Sequence, residues 1–478
     1  MEIMWSHVWL CAISLLVVSV TMWIYRWWNP KCKGILPPGS MGLPLLGETL
    51  SFLVTGNSID IHPFVKERMN RYGPLFKTSL AGRSIVISTD PDFNNLLFQQ
   101  EGKLVEMWYL DSFAKLLRQD TTAASGYVHK YLRHVVLNHF GVETLKGKLL
   151  PQLEYTINRG LQEWAKLPEI EVKDQCAAMI FGFTAKHMFS YEPEKSEENI
   201  VGNFSNFLEG LMSFPLRIPG TAFYRCGKRQ QKIIKLITNL LEERMKSHPE
   251  ARGDFLDQFV EDMRTEAFLT KEFATHVLFG ILLASFETIS STLALALKYL
   301  SDYPTLLQQL TEEHEEILKK RKDGNPRDGL LWTEYKSMTF THYVINESLR
   351  LANVAPGILR RVMKDIHVNG YTIPKGWAIM AVPAALQLNP NAFEGPLAFN
   401  PSRWKNIGSN ATAKNFMPFG GGNRACAGAE FSKVLLAVFL HVLVTKYRWT
   451  KIKGGDLVRA PALGFANGFY VNVSEKDA

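Results

Sequence analysis

Residues 3–25 form a mostly apolar run without a charge, interrupted only by His7 and a few Ser and Thr. About twenty such residues are enough to cross a bilayer as a helix. Trp23, Trp27 and Trp28 at its far end suit the aromatic belt of a membrane interface. Arg26, Lys31 and Lys33 follow the run, whereas only Glu2 and the terminal amine precede it. That bias predicts a single span with the N-terminus in the lumen and the rest of the chain in the cytosol. A cleaved signal peptide fits less well, because no basic segment precedes the run and no small-residue cleavage site follows it. Next comes Leu36-Pro37-Pro38-Gly39-Ser40-Met41-Gly42-Leu43-Pro44, where two adjacent prolines forbid helix and stiffen the chain. The pattern therefore divides the chain into an anchor (1–27), a hinge (28–45) and a globular part (46–478).

Beyond the hinge most periodicity is helical, as over 151–164, 230–246, 273–300 and 303–320. Ser84-Ile85-Val86-Ile87-Ser88 reads as a short strand, and 370–380 as two strands joined by a turn. No internal repeat or low-complexity tract interrupts this pattern. The expected fold class is mainly α with a minor β-sheet. One position disturbs the apolar run 273–300: Glu287 lies in its middle. A carboxylate there is either a paired core group or a functional one.

At 478 residues the chain has the length of two or three ordinary domains, taking about 100–200 residues each, and can bury a large core. The net charge of +8 and pI of about 9.0 suit nucleic acid, an anionic membrane surface or an acidic protein partner. No nucleic-acid-binding module is present, which leaves the membrane and the acidic partner. Cys11, Cys32, Cys176, Cys226 and Cys426 are scattered, with no C-x-x-C pair and no zinc spacing. An odd, sparse set argues against a disulfide framework and for a reducing compartment around the globular part.

One of these cysteines sits in a distinctive setting, Phe419-Gly420-Gly421-Gly422-Asn423-Arg424-Ala425-Cys426-Ala427-Gly428, directly before an apolar helical pattern over 430–444. A lone cysteine is commonly a small buried hydrophobe. Here Gly420, Gly422 and Gly428 allow tight turns and close approach of backbone to a flat ligand. Freed backbone N–H groups can face a thiolate, and Arg424, which stays protonated, can hold a fixed anion. A thiolate, an anion clamp and a flat apolar slot together describe a haem site.

The loop resembles the haem-thiolate signature of the cytochrome P-450 family, F-G-x-G-x-R-x-C-x-G, and matches it at every fixed position. The resemblance implies the family's mainly helical fold on an N-terminal transmembrane helix, packing nearly all of this length into one domain. It also implies haem b with Cys426 as axial ligand, and thiolate ligation pushes electron density onto iron and favours O–O cleavage. Ala284-Ser285-Phe286-Glu287-Thr288 resembles the family's oxygen-activation motif, [AG]-G-x-[DE]-T, with Ser285 where glycine is usual. By that likeness Thr288 and Glu287 steer protons to dioxygen, although a mid-helix threonine can simply back-bond to a carbonyl. Glu347-Ser348-Leu349-Arg350 matches E-x-x-R, and Phe399-Asn400-Pro401-Ser402-Arg403-Trp404 matches F-x-P-x-R-[FW]. Together they imply a buried structural network of Glu347, Arg350 and Arg403 in place of a surface ion pair. For the haem propionates the candidates are Arg424, His129 and Arg133 in His129-Lys130-Tyr131-Leu132-Arg133, and one of Arg360 and Arg361. Much of the family has W-x-x-x-R where this chain has His129 to Arg133. The H-K-x-x-R form is common in the plant steroid branch.

Segments 107–113, 204–215, 278–282, 354–359 and 463–469 are rich in Phe, Leu, Met and Val, as a large apolar pocket requires, and as ordinary core also would. From them and the oxygen motif come the candidate substrate contacts Trp108, Phe113, Phe207, Leu211, Leu282, Ala284, Val354, Ala355 and Phe465. Segment 214–220 is a candidate for dipping into the membrane. Over nearly its whole length the chain looks like the plant branch that oxidises sterols, brassinosteroids and triterpenes. The likeness is most specific in 36–48, 335–341, 415–433 and 445–455. The resemblance implies a single-pass endoplasmic-reticulum monooxygenase with a cytosolic catalytic domain. Its partners would be dioxygen, a lipophilic sterol or triterpene, and a separate NADPH-dependent reductase docking on a basic face near Cys426. Successive oxidations that cleave a sterol side chain are the alternative. A haem-thiolate isomerase or dehydratase would tend to lose the Glu-Thr pair. A non-catalytic membrane steroid- and haem-binding protein would lack NADPH-dependent turnover.

Overall fold

A computed structural model describes residues 2–110, 114, 126–192, 216–246, 252–324, 329–408 and 414–476. The chain divides into two compact units. The first comprises residues 1–54, 62–108 and 357–382, the second 55–61, 109–356 and 383–478. The strands in chain order are β1 (Leu75–Leu80), β2 (Arg83–Ser88), β3 (Val105–Met107), β4 (Ile170–Glu171), β5 (Ile358–Val362), β6 (Ile366–Val368), β7 (Tyr371–Ile373), β8 (Ala378–Ala381), β9 (Tyr447–Gly454), β10 (Leu457–Arg459), β11 (Leu463–Phe465) and β12 (Phe469–Glu475).

The first unit begins with helix α1 (Glu2–Trp28), long and apolar enough to cross a membrane, with none of its 9–28 stretch buried by protein. The hinge after it is stitched down. Trp27 and Trp28 both donate their indole N–H to the Gly42 carbonyl, at 3.3 and 3.1 Å. Lys77 N donates to Pro38 O at 2.8 Å. Gly39 has φ +136°, and a Cβ there would lie 2.1 Å from the Lys77 carbonyl oxygen, so this approach requires glycine.

The main sheet of this unit runs β1-β2-β8-β5-β3, antiparallel except where β2 pairs with β8. Ile85, Val86 and Ile87 are fully buried, as a continuous apolar run in a central strand should be. The strand expected at 84–88 is therefore present. The two strands expected within 370–380 also form, but they do not pair with each other. β7 turns back onto β6 through Asn369-Gly370, whose φ values of 50° and 78° suit a tight hairpin turn. β8 enters the main sheet instead. Pro374 lacks the N–H that a continuing ladder needs, and Gly376 at φ 85° turns the chain between them.

The second unit is helical. Its principal helices are α2 (Gly126–Phe140), α3 (Leu150–Ala165), α4 (Val172–Phe189), α5 (Ala222–Lys246), α6 (Lys271–Asp302), α7 (Pro304–Gly324), α8 (Thr339–Ala352) and α9 (Ala429–Lys446). All four helices expected from periodicity are present, α5 starting eight residues earlier than expected and α7 at Pro304 instead of 303. Thr270 caps α6 by accepting from Phe273 N, and Tyr303 ends it because Pro304 comes next. α9 is apolar all round and is buried among α3, α6, α7 and α8. A polar chain crosses this core: Glu313 accepts from Thr341 Oγ1, Thr341 meets His314 Nε2 at 3.0 Å, and His314 Nδ1 meets His441 Nδ1 at 3.0 Å. β9 and β4 flank β12, and β10 pairs with β11.

Candidate functional site

The cysteine loop is shaped by its glycines. Gly420 and Gly422 adopt φ 69° and 64°, and Cys426 N closes the turn onto Phe419 O at 2.9 Å. The loop feeds the N-terminus of α9, whose unpaired amides favour negative charge. Cys426 is exposed on one side and crowded on the others. Burial pushes its thiol pKa up, and the Gly428 N–H and the Arg133 charge oppose that rise.

His129 and Arg133 lie inside α2, one turn apart on one face. Arg133 Nη1 donates to Ala425 O at 2.6 Å, which docks α2 on the cysteine loop. Burial, then the charges of Arg424 and Arg133, hold the pKa of His129 down to about 4. Two guanidiniums, Arg133 and Arg424, and the neutral imidazole of His129 thus gather at the cysteine loop, a setting that suits anionic carboxylates. Phe419 is half-buried, with Lys433 Nζ 5.7 Å from its ring centroid.

α6 is buried along most of its length, yet Ala284 and Thr288 are exposed and Val277 and Ile281 half-buried. These positions share one helix face, so α6 keeps an open stripe in the middle of a buried helix. Thr288 Oγ1 donates to Ala284 O at 3.2 Å, and Ser285 Oγ to Leu282 O at 2.7 Å. Both hydroxyls are back-bonded within the helix. Glu287 points the other way. It is buried and ion-paired with Lys173 of α4 at 2.6 Å, the paired form of the two readings its position allows. Lys173 belongs to no motif, so nothing in the chain around it marks it as a partner.

Glu347 accepts from Arg350 at 2.8 and 2.9 Å, from Arg403 Nε and Asn400 N at 3.0 Å each, and from Trp404 Nε1 at 3.0 Å. Arg350 also donates to the carbonyls of Gln387, Pro396 and Ala398. The three expected members are therefore joined, with no side-chain exposure at Glu347 or Arg350. Trp404 and Asn400 complete the network from within the same sequence pattern.

Arg360 and Arg361 point to opposite sides of β5 in the first unit. Arg360 is buried, paired with Glu101 at 2.6 Å and 5.6 Å from the Phe98 ring centroid. Arg361 is more exposed and pairs with Glu106 at 2.5 Å.

Among the candidate substrate contacts, Val354 is half-buried, Ala355 exposed, and Phe465 half-buried against Phe469, with ring centroids 5.8 Å apart. Leu282 is 1% exposed and lies off the open face of α6, in the core. Trp108 is buried in the first unit. Phe113, Phe207 and Leu211 lie outside the described residues. A groove of about 1030 Å³ between α3 and α4 is lined by Tyr155, Arg159, Met179 and His187, among others, and by none of the described candidates. It is separate from the thiol.

A reachable thiol at a helix N-terminus, two guanidiniums and a neutral imidazole near it and an open hydroxyl-bearing helix face form a donor set that fits haem. Comparison with known proteins agrees. The family model for cytochrome P450 matches residues 37–467. The beta-amyrin 16-alpha-hydroxylase of Maesa lanceolata is 47% identical, across 98% of this chain and 99% of that one. The cucurbitadienol 11-hydroxylase of Siraitia grosvenorii is 46% identical across 99% and 100%. A cholesterol 16,22-dihydroxylase of Trigonella foenum-graecum is 34% identical across 97% of each. The solved structure of retinoic acid bound cyanobacterial CYP120A1 superposes with a TM-score of 0.82 at 25% identity, covering 93% of this chain and 100% of that one.

Proposed function

The chain belongs to the cytochrome P450 family of haem-thiolate monooxygenases, and we propose that its substrate is a triterpene, with sterols next in order. The observation that carries this reading is end-to-end identity of 46–47% with two enzymes named for triterpene hydroxylation, against 34% with the cholesterol enzymes. When bound, haem supplies the redox chemistry that activates dioxygen, using electrons from a redox partner.

In this reading Cys426 would hold the iron through its thiolate, and His129, Arg133 and Arg424 would receive the propionates. Arg360, in the first unit, already has its charge balanced by Glu101. Thr288 Oγ1, with its own proton turned to Ala284 O, presents its lone pairs at the open face of α6 and accepts a hydrogen bond that orients the proton delivered there. The hydrogen bond to Ala284 O keeps its hydroxyl oriented, and the small side chain of Ala284 leaves room beside it. Glu287, held by Lys173, stands one residue away as an acid group linked to a second charged side chain. Val354, Ala355 and Phe465 bind the apolar skeleton. Glu347, Arg350 and Arg403 frame the loop and take no part in chemistry. Helix α1 anchors the protein in the endoplasmic reticulum membrane through the 28–45 hinge, with 46–478 in the cytosol. The electron donor there is an NADPH-dependent reductase.

The test is product mass spectrometry on microsomes containing this protein and a plant reductase, offered beta-amyrin, cucurbitadienol and cholesterol. NADPH-dependent gain of one oxygen on a triterpene is the expected result. A shortened sterol would establish side-chain cleavage instead. No product from any of the three, with a normal thiolate–CO spectrum, would overturn the substrate class and keep the haem assignment.

A further inference from the structure

Arg459 is 2% exposed, and the proposed chemistry gives it no task. Among the described residues no carboxylate lies within ion-pair distance of it. Its guanidinium meets carbonyls instead: Ile59 O from Nε at 3.0 Å, Leu351 O from Nη2 at 3.0 Å, and Ala352 O and Asn353 O from Nη1 at 3.4 Å each. Leu351 to Asn353 end α8, where helix carbonyls have no intrahelical donor. Its backbone adds two more ties, Arg459 N to Gly56 O at 2.7 Å and Gly56 N to Arg459 O at 2.8 Å. Across the hairpin Arg459 stands opposite Leu463 in β11. One buried side chain therefore joins residues 56–59, the end of α8 and the β10–β11 hairpin.

These joints lead straight into candidate substrate contacts. Asn353 adopts a left-handed φ of 43° and turns the chain directly into Val354 and Ala355. β11 ends at Phe465. Burial is costly for a guanidinium and lowers the Arg459 pKa to about 10, with the Asp60 charge only partly opposing it. A planar fork of five donors suits several carbonyls at once, where a lysine ammonium cannot match the geometry.

We propose that Arg459 is a positioning residue that fixes the Val354–Ala355 turn and the β10–β11 hairpin as a preformed wall, and so sets which carbon of the substrate is oxidised. This rests on the proposed function, in which these segments touch the substrate. An apolar polycycle offers few polar handles, so the wall must be rigid to select one carbon.

The experiment compares full-length wild type with Arg459→Lys in reductase-supplemented microsomes, using beta-amyrin and whichever other skeleton wild type oxidises. The Lys variant should keep its thiolate–CO spectrum. Its KM should rise on the order of fivefold and its major-to-minor product ratio fall by about threefold or more, with kcat within about twofold. Unchanged KM and product ratio would overturn the proposal and leave Arg459 a stabilising residue only. Hydrogen exchange on substrate-free protein separates this from the function reading. Amides of 351–356 and 457–465 should be protected in wild type without substrate and lose protection in Arg459→Lys. If the variant gives no holoprotein, the wild-type measurement alone decides: unprotected amides in the substrate-free enzyme would overturn the preformed wall. Wild type that oxidises none of the three skeletons fails the substrate reading, and exchange still judges Arg459.

Discussion

Two polar regions of the helical unit are built on opposite principles. Around Glu347 every oxygen is occupied: Arg350, Arg403, Trp404 and the Asn400 amide all converge on one fully buried carboxylate. On α6 and the cysteine loop the opposite holds. Thr288 and Ala284 are exposed in an otherwise buried helix, and Cys426 stands open in a loop lined by Arg133 and Arg424. The first region is closed and has nothing left to bind with, so its worth is rigidity. The second is left incomplete by the protein itself, which is how a site for a large flat cofactor and an apolar substrate must be. The difference teaches where chemistry resides: the more completely a polar group is satisfied by the chain, the less it can do for a ligand.

Breaking the closed region should have the largest effect. Glu347→Ala leaves Arg350 and Arg403 buried without their carboxylate, which costs about 3–5 kcal/mol. Expression of holoprotein, read from the thiolate–CO spectrum per milligram, should collapse. Near-normal holoprotein would mean that the network is dispensable. Changing the open region should spare the fold and alter the chemistry. Thr288→Ala removes a hydroxyl that bonds only to its own helix, so melting temperature should barely move. Peroxide release relative to product should rise, because proton delivery to the bound oxygen is impaired. Unchanged coupling would remove Thr288 from proton delivery.

The smallest effect concerns the buried histidines that tie α7 to α9. Burial lowers His314 to about 3 and His441 to about 4, well below an unfolded histidine near 6.5. Between pH 6.5 and about 4 the unfolded chain takes up protons that the folded pair refuses. Stability contributed by the neutral pair is therefore complete above pH 6.5 and is lost as pH falls through that window. Thermal melts from pH 7 to pH 5 should show a steeper decline in wild type than in the double variant His314→Gln/His441→Gln. Equal slopes would assign the acid sensitivity to other groups.

Much of this is legible in the chain. The long helices follow from 3.6-residue periodicity, and the cysteine loop, the Glu347–Arg350 pair and the Arg403 segment from contiguous spacing. Where the sequence is silent, the partner is distant. Lys173 lies 114 positions before Glu287, and nothing local marks either as a pair. Arg459 serves carbonyls more than a hundred positions away, and backbone acceptors leave no trace in residue identity. Leu282 reads as pocket lining because it closes the apolar segment 278–282, two residues before Ala284. Two helical residues apart is about 200° of rotation, and it faces the core. The pairing within 370–380 differs from expectation although its signal is in view: Asn369-Gly370 marks a hairpin centred before, not within, the two strands.

The central claim is that the open thiol of Cys426 is the iron ligand of a monooxygenase. The most direct measurement is the reduced CO-difference spectrum of purified wild type beside Cys426→Ser, with NADPH-dependent product formation on the same samples. Wild type should give a thiolate-type band and an oxygenated product. Cys426→Ser should keep its fold and lose both. A thiolate-type band or product in the serine variant would contradict the account.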